Sequence, residues 1–148
     1  MQYIHLIVDR RIRADYQAIV RYALSNSTHF SVITEQLKPY MKEPPVLRHD
    51  ELLAPIRGEL VRQELNVRTW PGTKTSARHK VLNLYRINRN VRQWFASGPN
   101  LLEYEPDGVQ DLCFYRDAAV WFVSVTHEET VSIIDPTEDD RKMFGEYK

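Results

Sequence analysis

The chain has 148 residues, 43% hydrophobic and 27% charged, and its 20 Lys plus Arg balance 20 Asp plus Glu. That composition excludes intrinsic disorder as the main state and excludes a bulk polybasic nucleic-acid binder; the length is that of one domain, residues 1–148, able to bury a core without metal or disulfide. Cys113 has no second cysteine to pair with, no apolar run reaches membrane-spanning length, and the apolar start precedes its basic residues, unlike a secretory leader, so a reducing, cytoplasmic setting is expected.

Residues 3 to 8, Tyr-Ile-His-Leu-Ile-Val, are almost continuously apolar and predict a strand covered on both faces. Asp15 precedes Ile19, Val20, Tyr22, Ala23 and Leu24 at helical spacing, which predicts a helix over about 14–25. A strand over His29 to Thr34 and a short helix over Glu35 to Met41 follow, closed by Pro44-Pro45, and Pro55 and Gly58 leave one short helix over Asp50 to Ala54. Val61, Gln63, Leu65, Val67 and Thr69 alternate as one strand ending at Trp70-Pro71-Gly72; residues 73–79 are loop-like, and Val81 to Ile87 alternates again. Val91, Trp94 and Phe95 put an apolar face on a helix over 89–97, which Gly98-Pro99 stops. Runs at Asp111–Arg116, Val120–Val125 and Val131–Ile134 predict a three-strand antiparallel meander, after which Thr137-Glu138-Asp139-Asp140 caps a short terminal helix. The expected fold is α+β: a mainly antiparallel sheet with two or three helices on one face.

Neutrality hides a division of charge. Residues 65–102 carry seven basic and no acidic residues, whereas 103–148 carry four basic and 12 acidic. Arg86, Arg89 and Arg92, spaced by three, could track a phosphate backbone, but Trp94 and Phe95 are placed for the core and a solvated or internally paired face is the better reading, so nucleic acid is not the expected partner. The acidic third, with Glu103, Glu105 and Asp107, offers complementary charge to a basic protein.

Five scattered glycines supply neither a phosphate-cradling loop nor a dinucleotide fingerprint, and there is no Gly-x-Ser-x-Gly elbow. One Cys and five dispersed His do not form a metal-ligand set, and neither cofactor nor metal is expected. His127-Glu128, in a loop between strands, is the one pair that could act as general acid or base; its plainer reading is a polar turn. Cys113, mid-strand, reads as an inert small hydrophobe. Pro106-Asp107 with Glu146-Tyr147-Lys148 only superficially matches the acidic-plus-lysine set of metal-dependent nucleases, since a terminal Lys148 is expected to fray. Trp70 beside Pro71-Gly72 reads as a core anchor for its turn, with a surface binding anchor as the alternative. Convergence of Trp70, Asp111, His127 and Glu128 on one cleft would mark a ligand or catalytic site.

The order Trp70-Pro71-Gly72-Thr73, Asp111-Leu112-Cys113-Phe114-Tyr115-Arg116, Trp121-Phe122-Val123-Ser124 and Thr126-His127-Glu128, over residues 60–135, resembles an uncharacterised family of small bacterial proteins. The resemblance implies a bacterial, cytoplasmic origin only, with no established activity attached to it, and Asp117-Ala118-Ala119 departs from its glycine-containing hairpin turn. The expected function is a non-catalytic intracellular protein acting on a protein partner as inhibitor, immunity-type or regulatory factor. The alternatives are a small hydrolase-like or ligand-binding protein using His127 and Glu128, and a nucleic-acid binder using the basic segment.

Overall fold

A computed structural model describes residues 1–36, 48–77, 79–105 and 108–148. In chain order these form β1 (Tyr3–Ile7), α1 (Arg10–Ala14), α2 (Tyr16–Ser25), β2 (His29–Glu35), α3 (Arg48–Leu53), a 3₁₀ segment (Ala54–Glu59), β3 (Leu60–Leu65), β4 (Thr69–Trp70), β5 (Thr73–Lys74), β6 (Lys80–Arg86), α4 (Arg89–Ser97), β7 (Gln110–Arg116), β8 (Ala119–Val125), β9 (Thr130–Ile134) and α5 (Glu138–Phe144). The rest of the helix expected over 35–41, Pro44-Pro45, Arg78 and Asp107 lie outside the described residues.

Seven strands form one antiparallel sheet in the order β1-β9-β8-β7-β2-β6-β3. The meander β7-β8-β9 is as the alternation predicts; β1 extends it on one side and β2 joins it to β6 and β3 on the other. β1 is therefore an edge strand. Ile4 and Leu6 face the core while Tyr3, His5 and Ile7 are exposed, so the apolar run is not covered on both faces as expected. The long strand expected through Thr69 stops at Leu65 because Asn66 takes a left-handed φ of 56°, a conformation Asn tolerates, and β4-β5 fold back as a separate hairpin.

The five α-helices among the described residues bury their apolar sides in one cluster with the sheet. In α4 the Asn88 side chain accepts from the Val91 N–H, and Val91, Trp94 and Phe95 are its buried residues, as the spacing predicts. α1 has no sequence signature: at 5 residues it is too short for periodicity, and it forms because the Asp9 carboxylate caps Arg11 and Ile12 N–H groups. At the chain's end Tyr147 is buried and its hydroxyl donates to Asp15 Oδ2 at 2.7 Å, while Arg11 donates to the carbonyls of Glu146 and Tyr147. This segment is docked on α1 rather than frayed.

α5 is tied to the sheet by a buried carboxylate. Asp140, wholly buried, accepts two hydrogen bonds from Arg116, at 2.8 and 3.0 Å, another from Tyr22 and a fourth from the Thr137 N–H in a capping box. Arg116 also lies over the Trp121 ring at 3.9 Å. Burial works to raise the Asp140 carboxyl, but the hydrogen bonds of Arg116, Tyr22 and Thr137 outweigh it and hold the group below the usual carboxylate range.

The helices cover one face only. On the other, the β4-β5 hairpin lies against β8: a Cβ on Gly72, whose φ is 84°, would stand 2.7 Å from Val123 Cγ1 and 3.0 Å from Val125 Cγ2. Trp70 packs there with Ile33 and Leu82.

Candidate functional site

Trp70 and Asp111 do meet, but in the interior. β7 bulges so that Asp111 and Leu112 stand against the single residue Val32, and Asp111 takes φ 54° there. Its carboxylate, 2% exposed, accepts from Trp70 Nε1 at 2.8 Å, from Thr73 Oγ1 at 3.4 Å and from the Thr126 N–H at 2.9 Å, while its own N–H donates to Thr126 Oγ1 at 2.7 Å. These bonds lock the hairpin and the β8 end to β7. His127 and Glu128 follow Thr126 in a single 3₁₀ turn and are exposed, and neither bonds to this cluster's buried carboxylate. They sit on a polar turn. Cys113, between Leu112 and Phe114, is wholly buried; burial, then the Asp111 charge, pushes its thiol up to about 12.

The charged candidates scatter. Glu103 and Glu129 share Arg13, at 4.0 and 3.2 Å; Glu105 is half-buried; and Asp111 and Asp140, part of the acidic third, are interior. In the basic segment Lys80 pairs with Glu35 at 2.7 Å and Arg86 with Glu59 at 3.5 Å, so part of that charge is compensated within the fold. Arg89 and Arg92 lie exposed on α4, the latter beside Arg21 along a groove between α2 and α4.

A polar cleft opens elsewhere, where α3 and the 3₁₀ segment meet β2, β6 and β3. It measures about 290 Å³. Its outer wall is fixed from behind: Ile56 is fully buried, Trp94 Nε1 donates to the Leu52 carbonyl at 2.8 Å, and Asn90 donates to the Pro55 carbonyl and the Glu59 carboxylate. Its floor is polar because β6 places Asn83 on the core-facing side between Val81 and Tyr85. Asn83 donates to Thr34 Oγ1 at 2.9 Å and to the Val32 carbonyl, and accepts from Gln63 Nε2 at 2.8 Å, which orients both amides. His49, 5% exposed, donates from Nε2 to the Glu35 carbonyl at 3.0 Å, with Asp50 against its Nδ1 at 3.1 Å.

Tyr85 and Arg57 complete the lining. Tyr85 is held by stacking on Phe30, ring centroids 5.1 Å apart, and burial pushes its phenol up to about 12 against the opposing pull of the Arg57 charge. Arg57 makes no ion pair among the described residues. Leu53, Ala54 and Leu60 supply apolar wall. A guanidinium, a neutral phenol and preset amides on one small concavity are the groups that recognise a carboxylate or phosphate. Among the described residues no cluster of His, Cys, Asp and Glu could hold a metal, and no helix is long and apolar enough to cross a membrane.

Sequence reading missed this cleft because its residues come from five separate elements over some fifty positions. One signal was there: Asn83 interrupts the core-facing alternation of Lys80–Arg86, and a polar residue at a core position needs a local reason.

No family model, curated protein or solved structure matches this chain.

Proposed function

We propose that the protein is a non-covalent binding protein and that the cleft between the 48–59 segment and the β2-β6-β3 side of the sheet takes a small carboxylate or phosphate. The observation that carries this reading is Arg57, a cation at the cleft that makes no ion pair among the described residues, though Asp50 shares the lining, and whose charge is felt by the Tyr85 phenol. An open concavity of this size suits a metabolite-sized group, and an anion there gains charge-assisted hydrogen bonds from Arg57 and orientation from Gln63 and Tyr85. The ligand-binding alternative is thereby moved from the His127-Glu128 turn to the cleft. The protein-partner reading rests on Glu103, Glu105 and Asp107: Glu103 is exposed and 4.0 Å from Arg13, Glu105 is half-buried, and Asp107 lies outside the described residues.

The test is calorimetric titration of the purified chain with inorganic phosphate, succinate and citrate. Binding by at least one of these, weakened about tenfold or more in Arg57→Ala and less in Tyr85→Phe, is expected from the loss of one charge-assisted hydrogen bond. Heats that are absent throughout, or unchanged in Arg57→Ala, would sink the proposal.

A further inference from the structure

β3 ends the sheet, and its outer edge carries a self-complementary pattern. The hydrogen bonds of the neighbouring strands fix which backbone groups face outward. Gln36 N–H donates to the His79 carbonyl at 2.7 Å and Ile87 N–H to the Thr28 carbonyl at 3.0 Å, so residues 79, 81, 83, 85 and 87 turn their backbone groups toward β2. Lys80, Leu82 and Leu84 therefore turn theirs toward β3, in accord with the Val67 N–H donating to the Lys80 carbonyl at 3.0 Å. Their partners Glu64 and Arg62 are satisfied within the sheet, and the N–H and C=O of Gln63 and Leu65 point away from it. Among the described residues no strand pairs with that edge. Val61 and Leu65 are 52% and 55% exposed, and Arg62 and Glu64 are exposed on the opposite side of the strand.

We propose that two copies of this chain pair antiparallel through β3, centred on Gln63. A two-fold strand pair must set outward-facing residues opposite one another, and this centre does so: Gln63 meets its own counterpart and Val61 meets Leu65 of the second copy. The same register puts Arg62 opposite Glu64 of the second copy, in the closely spaced, non-hydrogen-bonded position where opposite charges favour pairing. Both side chains already lie on one side of the strand, 3.2 Å apart within the chain, so pairing builds a two-by-two square of alternating charges. Other centres fail. Centring on Leu65 would set Arg62 against Arg68 and run the pair through the left-handed Asn66; centring on Val61 lands on the strand's irregularity between Leu60 and Arg62 and leaves both charges unmatched. β3 has no proline, its two charges match each other across the proposed pair, and its irregularity lies before the Gln63 centre, between Leu60 and Arg62. Leu60 and Gln63 also line the cleft, so the second copy's strand would border it, whatever the cleft binds.

The test is light scattering after size exclusion over a concentration series, because a single-strand interface is small and its dimer is expected to dissociate on dilution. The wild-type mass is expected to approach twice the 17.5 kDa of one chain at high concentration. Arg62→Glu and Glu64→Arg, each folded by circular dichroism, should each weaken the dimer tenfold or more, and the double variant carrying both changes should restore it. A wild-type chain that stays monomeric overturns the proposal. So do single reversals that dimerise like wild type, the outcome expected if β1, the other edge, pairs instead, and so does a double variant that stays monomeric.

Discussion

Trp70 Nε1 donates to Asp111 Oδ2 at 2.8 Å across 41 positions of sequence, joining a two-residue strand on the outer face to the bulge of β7. The bond turns a carboxylate that would otherwise be buried and under-satisfied into the fixing point of the hairpin.

Trp70→Phe keeps an aromatic side chain, smaller by one ring, and removes the donor, and Asp111→Asn weakens the acceptor. Each is expected to cost roughly 1–3 kcal/mol, the range for leaving a buried polar group short of a partner. In urea denaturation the double variant should lose roughly 1 kcal/mol or more less than the two singles together, because they break one interaction. Strict additivity would show that the indole and carboxylate do not act as a pair.

Gly72→Ala tests the hairpin's approach to β8. The added methyl meets Val123 Cγ1 at 2.7 Å and the residue must keep φ 84°, so a loss of about 2 kcal/mol is expected from left-handed backbone and crowding together. A thermal midpoint unchanged from wild type would mean that the hairpin lifts freely.

Asp140 gives the fold an acid limit. Its carboxyl is held below the ordinary carboxylate range when folded, so its contribution is complete above that range and disappears as pH falls through the folded value. Asp140→Asn should cost roughly 3 kcal/mol near neutral pH, as expected for stranding a partly buried Arg116, and should flatten the fall in stability below about pH 4. Equal acid slopes in the two proteins would remove Asp140 as the titrating group.

Cys113, with its thiol pushed up to about 12 by burial, should resist alkylation by iodoacetamide at pH 8 in the native state and react fully in denaturant. Fast native labelling would place the thiol within reach of solvent.

The meander and α4 were legible because each is regular over enough residues for its period to show: Val91, Trp94 and Phe95 share one helical face, and β7 to β9 alternate cleanly. What escaped depends on single residues or on long-range neighbours. Asn66 ends β3 through one left-handed φ, Asp9 starts α1 through one side chain, and the exposure of Tyr3 and Ile7 follows from β1 lying at the edge, which the strand's own residues do not encode. Of the candidate site, Trp70 reads from its turn as a core anchor and is buried as one, while the interior place of the Asp111 carboxylate that it meets depends on the β7 bulge. Arg57 and Tyr85 carried no signal, because the cleft exists only once α3 and the 3₁₀ segment meet three strands.

Tyr3–Ile7 pairs only with Thr130–Ile134 among the described strands, and His29–Glu35 has as partners Lys80–Arg86 and Gln110–Arg116. Neither of the first two strands can therefore find a neighbour until much later chain has left the ribosome. The apolar β1 residues Ile4 and Leu6 stay without a neighbouring strand through most of synthesis, and the sheet closes late, when β9 emerges. Such a nascent chain invites chaperone attention over its first half, and a truncation short of β9 would leave β1 unpaired and sticky.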